Sequence, residues 1–187
     1  MKKKLILFLL LLITIIIIVI LLSIRNNRKP EPNIKNVSLV YRYTNYAWGY
    51  KDYAYLIKTN GQVLYYNYTK LKEEENVCID MDSKEFFDDL INTTDNKNYV
   101  TQYQSDNMSK KQSELLYSIN YNSIDLKYET NAIDAGTGSY YCLVEYEDYS
   151  ELIKIKETGD RESTNRKRNL NKICNYIDKV VLDIKNK

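Results

Sequence analysis

Residues 5–24 of this 187-residue chain, LILFLLLLITIIIIVILLSI, form an almost unbroken apolar run, and it is the strongest constraint on folding in the sequence. Twenty helical residues at ~1.5 Å each span roughly 30 Å, the thickness of a bilayer hydrocarbon core. A helix that is apolar on every side has no face to offer water. No charge interrupts the run, and Thr14 can return its hydroxyl to its own helix. Cleaved secretory signals have shorter cores, ~7–15 residues, and end at a small-x-small site. Leu21, Leu22, Ser23, Ile24 and Arg25 offer no such site, and no cysteine there could carry a lipid. The run therefore predicts a single N-terminal transmembrane helix, an uncleaved anchor in the bilayer.

Direction follows from the flanks. Lys2, Lys3 and Lys4 precede the run, and Arg25, Arg28 and Lys29 follow it. The positive-inside rule leans towards a cytoplasmic N-terminus, and long following domains translocate largely regardless of charge. The expected location is the cell membrane, single-pass, with the C-terminal domain outside. Residues 1–24 make tail and anchor, 25–36 a stalk stiffened by Pro30 and Pro32, and 37–187 one extracytoplasmic domain.

The net charge of +2 belongs to the anchor. Three of the 27 basic residues lie before residue 25, so the remainder carries 24 bases against 25 acids. That balance gives no reason to expect a nucleic-acid partner. Acids concentrate in 71–95 and bases in 161–187, which reads as two solvated helix faces that could oppose each other. The chain has no histidine, which excludes Ser-His-Asp and Cys-His catalysis and histidine metal sites. Cys78, Cys142 and Cys174 are widely spaced beside apolar neighbours and read as buried free thiols. Asp80-Met81-Asp82 begins like a calcium loop but puts Glu85 where glycine is needed and Ile91 where a bidentate acid is needed. No metal and no cofactor is expected.

Within the domain, residues 37–46 alternate as a strand. Residues 53–59 and 62–69 flank Asn60-Gly61 as a hairpin. A two-residue type I′ turn would set Ile57 against Leu64, Tyr55 against Tyr66 and Tyr53 against Tyr68, an aromatic ladder expected to form half of a sheet core. Asp82 and Glu85 resemble a capping box ahead of Phe86, Phe87, Leu90 and Ile91. Residues 92–108 read as loop. Residues 109–121 read as a helix boxed by Ser109 and Gln112, and Ile124, Leu126 and Tyr128 as a short strand. Residues 140–146 and 151–156 form a second hairpin. A long amphipathic helix follows, capped by Ser163, Thr164 or Asn165, with Leu170, Ile173, Cys174, Ile177, Val181 and Ile184 inward. The expected fold is α+β, an antiparallel sheet with helices packed on one face, in the order β-β-β-α-α-β-β-β-α.

Function is written more faintly. YTNYAWG at 43–49 is an aromatic loop, and NAIDAGTGS at 131–139 is a glycine-bearing turn without the strand-helix context of a phosphate cradle. Loops carry function more often than cores do, so Trp48, Tyr50 and Asp134 are the candidate binding residues. With no catalytic constellation, the expectation is a non-catalytic envelope module for a protein, peptide or glycan partner. The alternatives are a cell-envelope enzyme using carboxylates such as Asp134 or Glu145, and an immunity-type protective protein.

Overall fold

The computed structural model describes residues 33–187 except 48, 81, 93–96, 131–135, 165–167 and 187, together with 13, 14, 16 and 17. Residues 1–33 and 34–187 form separate units. The membrane span expected over residues 5–24 and most of the stalk lie outside the described residues. Among those described, no helix is long and apolar enough to cross a membrane.

Strand β1 (Ile34–Asn45) is the axis of the domain, and it begins inside the expected stalk. β2 (Lys51–Ile57), β3 (Gln62–Asn67) and β4 (Val100–Gln104) extend the sheet on one side of it. β6 (Thr137–Tyr146) and β7 (Ser150–Gly159) extend it on the other. The six strands run antiparallel in the order β4-β3-β2-β1-β6-β7. β5 (Lys127–Thr130) and β8 (Arg161–Thr164) pair in a second, two-stranded sheet. Four helices complete this α+β domain: α1 (Tyr68–Glu75), α2 (Lys84–Asn92), α3 (Lys110–Tyr117) and α4 (Arg168–Lys185).

The helices cover both faces of the sheet, not one. Side chains alternate between faces along a strand. Val37 and Leu39 of β1 join the cluster that holds Leu116 of α3 and Leu170, Ile173, Ile177 and Ile184 of α4. Val40, two strand neighbours' Leu56 and Leu64, and Leu143 join Leu71 of α1 and Phe86 and Leu90 of α2. Central strands buried on both sides lose the polar-apolar alternation, as the run from Tyr140 to Val144 shows. The acidic helices α1 and α2 and the basic α4 consequently lie on opposite faces and do not oppose each other.

The first hairpin is shifted by one residue from the expected register. Ile57 pairs with Val63, Leu56 with Leu64 and Tyr55 with Tyr65. The loop has three residues, with Gly61 at φ +81° and its N–H donating to the Lys58 carbonyl at 3.0 Å. Gly61 is obligatory twice over, since a Cβ there would also sit 2.4 Å from the Ser105 carbonyl oxygen. A one-residue slip moves a strand's side chains to the other face. Tyr66 therefore packs on the α1–α2 side, where Tyr68 of α1 joins it, while Tyr65 packs at a tilt against Tyr53 and Tyr55.

Caps explain where helices start. Asn67 ends β3 and its side chain accepts from the Lys70 N–H, so α1 begins where the strand was expected to continue. The capping box of Ser109 and Gln112 forms as expected. For α2 the cap is Ser83, whose Oγ accepts from the Phe86 N–H at 3.1 Å, and not Asp82. Ser163 is no cap either: residues 161–164 form β8, and its hydroxyl accepts from the Glu157 N–H at 2.6 Å. The polar stretch Val100–Gln104 is an edge strand, missed because only one of its sides packs. All three cysteines are free; Cys142 and Cys174 are buried, whereas Cys78 is exposed.

Candidate functional site

The α1–α2 face carries a chain of buried polar groups. Arg42 sits on β1 between Tyr41 and Tyr43, fully buried, and forms a two-pronged ion pair with buried Asp52 at the start of β2, at 2.9 and 2.7 Å. Its Nη1 and Nη2 also donate to the carbonyls of Asp80 and Ile79 respectively. Its guanidinium lies over the rings of Phe86 and Tyr68, 4.3 and 4.9 Å from their centres. Burial alone would lower the Arg42 pKa, but the hydrogen bonds and charge of Asp52 raise it. Arg42 thus straps Ile79 and Asp80 onto the sheet.

Further along the chain, Asp82 adopts φ +66°, a left-handed conformation that aspartate tolerates better than most residues. Its carboxylate leaves the helix cap and accepts from the Tyr141 hydroxyl at 2.5 Å and the Lys154 ammonium at 2.6 Å. Lys154 also reaches Glu157 at 2.9 Å. Burial opposes the Lys154 charge, yet Asp82 and Glu157 outweigh it and hold the ammonium above its ordinary pKa. Burial, with Asp82 adding to it, pushes the Tyr141 phenol far up, so it remains a donor throughout the physiological range.

These groups floor an open groove of about 550 Å³ between the start of α2 and β7. Phe87 of α2 and exposed Tyr128 of β5 supply aromatic walls, and Ser150, Glu151 and Leu152 of β7 the opposite rim. Aromatic faces beside fixed donors and acceptors suit stacking and hydrogen bonding with hydroxyl- or amide-rich ligands.

The residues expected from sequence lie elsewhere. Trp48 and Asp134 fall outside the described residues. Tyr50 is half-buried at the end of the Arg42–Asp52 pair, donating to Asp52 at 3.2 Å, with the Lys72 ammonium 3.7 Å from its ring centre. Burial and the Asp52 charge raise its pKa. Gly136, of the glycine-bearing segment, packs against Thr44 and Asn45 at the end of β1. Glu145 accepts from the Asn36 amide at 3.2 Å and lines a cavity of about 310 Å³ with no second carboxylate among the described residues. From sequence, Asp82 reads as a helix cap and as part of a rejected calcium loop, and neither Tyr141 nor Lys154 reads as a site residue. A lysine inside the apolar Leu152–Ile155 stretch and an arginine inside β1 were the available signals, since an inward charge demands a partner.

Comparison with protein-family models, with curated proteins and with solved structures finds no match to this chain.

Proposed function

We propose that the chain is a non-catalytic binding module, anchored in the cell membrane through residues 5–24 and displayed outside it, which takes a peptide or glycan segment of a partner into the α2–β7 groove. One observation carries the reading: the charged floor of the groove is already paired, Lys154 with Asp82 and Glu157, and Tyr141 with Asp82. Such a floor presents fixed hydrogen-bonding groups and leaves its lysine and aspartate engaged. The anchor's length and missing cleavage site support the location. A photo-crosslinking side chain at Tyr128, in full-length protein expressed in its membrane, tests the proposal. Crosslinks to one partner that vanish in Lys154→Ala support it; an absence of saturable crosslinks sinks it. Protease protection of the domain in intact cells would reverse the topology.

A second reading, a carboxylate-dependent enzyme acting on envelope polymer, is favoured by Asp82 and Glu151 lining the same groove. Polymer cleavage that is lost in Glu151→Gln distinguishes it from binding alone.

A further inference from the structure

The opposite face holds a different kind of site. Between α3 and α4 lies a groove of about 310 Å³, at the small end of the range of ligand pockets. Its floor is apolar: Leu39 of β1, Met108, Leu116 of α3 and Ile173 of α4 are each under 10% exposed. Four polar groups also line it, one of them Gln112, which is engaged in the α3 capping box. Lys111 of α3 and Lys172 of α4 are exposed, and neither has an ion-pair or hydrogen-bond partner among the described residues. Tyr176, one turn beyond Lys172, has a buried hydroxyl that likewise lacks a partner among the described residues. A buried hydroxyl without a partner is uncommon, because its desolvation goes uncompensated.

We infer that this groove binds a single-chain anionic amphiphile, a medium-length acyl chain ending in a carboxylate. The chain fills the apolar floor, the two lysines on facing helices neutralise the carboxylate, and the Tyr176 hydroxyl gains the acceptor it lacks. Charge complementarity selects this occupant: two cations without partners among the described residues, set against the Asp106 carboxylate whose charge reaches Tyr176, favour an anionic head over a neutral or cationic one. The fit to a free acid rather than a two-chain lipid follows from the small volume. This site stands apart from the α2–β7 groove and does not depend on the binding reading given for it.

The test uses the full-length chain in lipid nanodiscs, with empty nanodiscs as the blank, and decanoate carrying a ¹³C carboxyl as the probe. Saturable binding above the blank, seen as a distinct carboxyl resonance, is the expected result. Decyltrimethylammonium, of equal chain length and opposite charge, should not compete. The Lys111→Gln/Lys172→Gln pair should weaken decanoate binding about tenfold, as loss of charged hydrogen bonds does. Leu115→Trp, at a half-buried position on the groove wall, should block it while the circular dichroism spectrum stays unchanged. Binding no greater than in the blank, equal competition by the cationic probe, or unchanged affinity in Leu115→Trp would each overturn the inference. So would saturation by an amphipathic peptide in place of decanoate, which would make the groove a protein-docking site.

Discussion

The two faces of the sheet are stabilised in different ways. Beneath α3 and α4 the side chains are aliphatic and aromatic, and a tyrosine cluster (Tyr41, Tyr53, Tyr55, Tyr65 and Tyr140) spreads across four strands with neighbouring ring centres 5.0 to 6.4 Å apart. Beneath α1 and α2 the packing surrounds charge. Besides Arg42 and Asp52, buried Asp89 accepts from the hydroxyls of Tyr68 and Tyr99 at 2.9 and 2.7 Å and pairs with Lys97. The first face gains from area removed from water, and tolerates small losses gradually. The second depends on every buried polar group keeping its partner, so a single deletion is abrupt. The open, charged groove lies on the second face, where the polar groups are held in fixed positions.

The largest effect expected is alkaline. Burial, the leading cause in each case, pushes Tyr55, Tyr121 and Tyr140 on the first face and Tyr141 on the second well above the ordinary phenol value. Because the folded pKa values are raised, the unfolded chain loses these protons first. Stability is therefore intact below about pH 10 and falls above it, by up to about 1.4 kcal/mol per pH unit for each tyrosine. Urea midpoints from pH 9 to 11, with phenolate absorbance followed in parallel, check this. An unchanged midpoint at pH 11 would contradict the burial of these rings.

Next in size is the ion pair. Arg42→Met leaves Asp52 buried without its counter-charge and should destabilise the domain by about 3–5 kcal/mol. Arg42→Met with Asp52→Leu should recover a large part of that. If the double variant is as unstable as the single, then the Arg42 bonds to the Ile79 and Asp80 carbonyls matter more than the pair. On the other face, Leu170→Ala should lose about 2–5 kcal/mol through lost burial and a cavity, with no rescue available from a charge partner.

Smaller losses separate the groove from the core. Tyr141→Phe removes one hydroxyl but leaves Lys154 on Asp82, so a loss of about 1 kcal/mol is expected in chemical unfolding. A loss near that of Arg42→Met would mean that Tyr141, and not the arginine strap, holds Ile79, Asp80 and Asp82 to the sheet. Ser109→Ala, at the α3 cap, should cost about 1 kcal/mol or less and leave both faces otherwise alike.

Much of the fold was legible in local patterns. Ser109 and Gln112 announced α3, the spacing of Leu170 to Ile184 announced α4, and Asn60-Gly61 marked the first hairpin. The site was not legible. Asp82 looked like a helix cap because Glu85 follows three residues later, the spacing of a capping box. Its actual partners, Tyr141 and Lys154, are 59 and 72 residues away, and no local pattern announces contacts at that range. Arg42 and Asp52 are ten residues apart in adjacent strands, yet pairing them required the register of β1 on β2.

What the sequence determined by itself was therefore short-range: which segments turn, which alternate, where Ser109 caps a helix, and that residues 5–24 form an uncharged apolar run. Tertiary structure alone decided the rest. It placed helices on both faces and shifted the hairpin by one residue, so that Tyr65 in place of Tyr66 faces Tyr55. It also drew Asp82 off its helix to meet Lys154. Backbone preference and periodicity act over a few residues, whereas burial of a charge is compensated only when distant strands bring its partner within 3 Å.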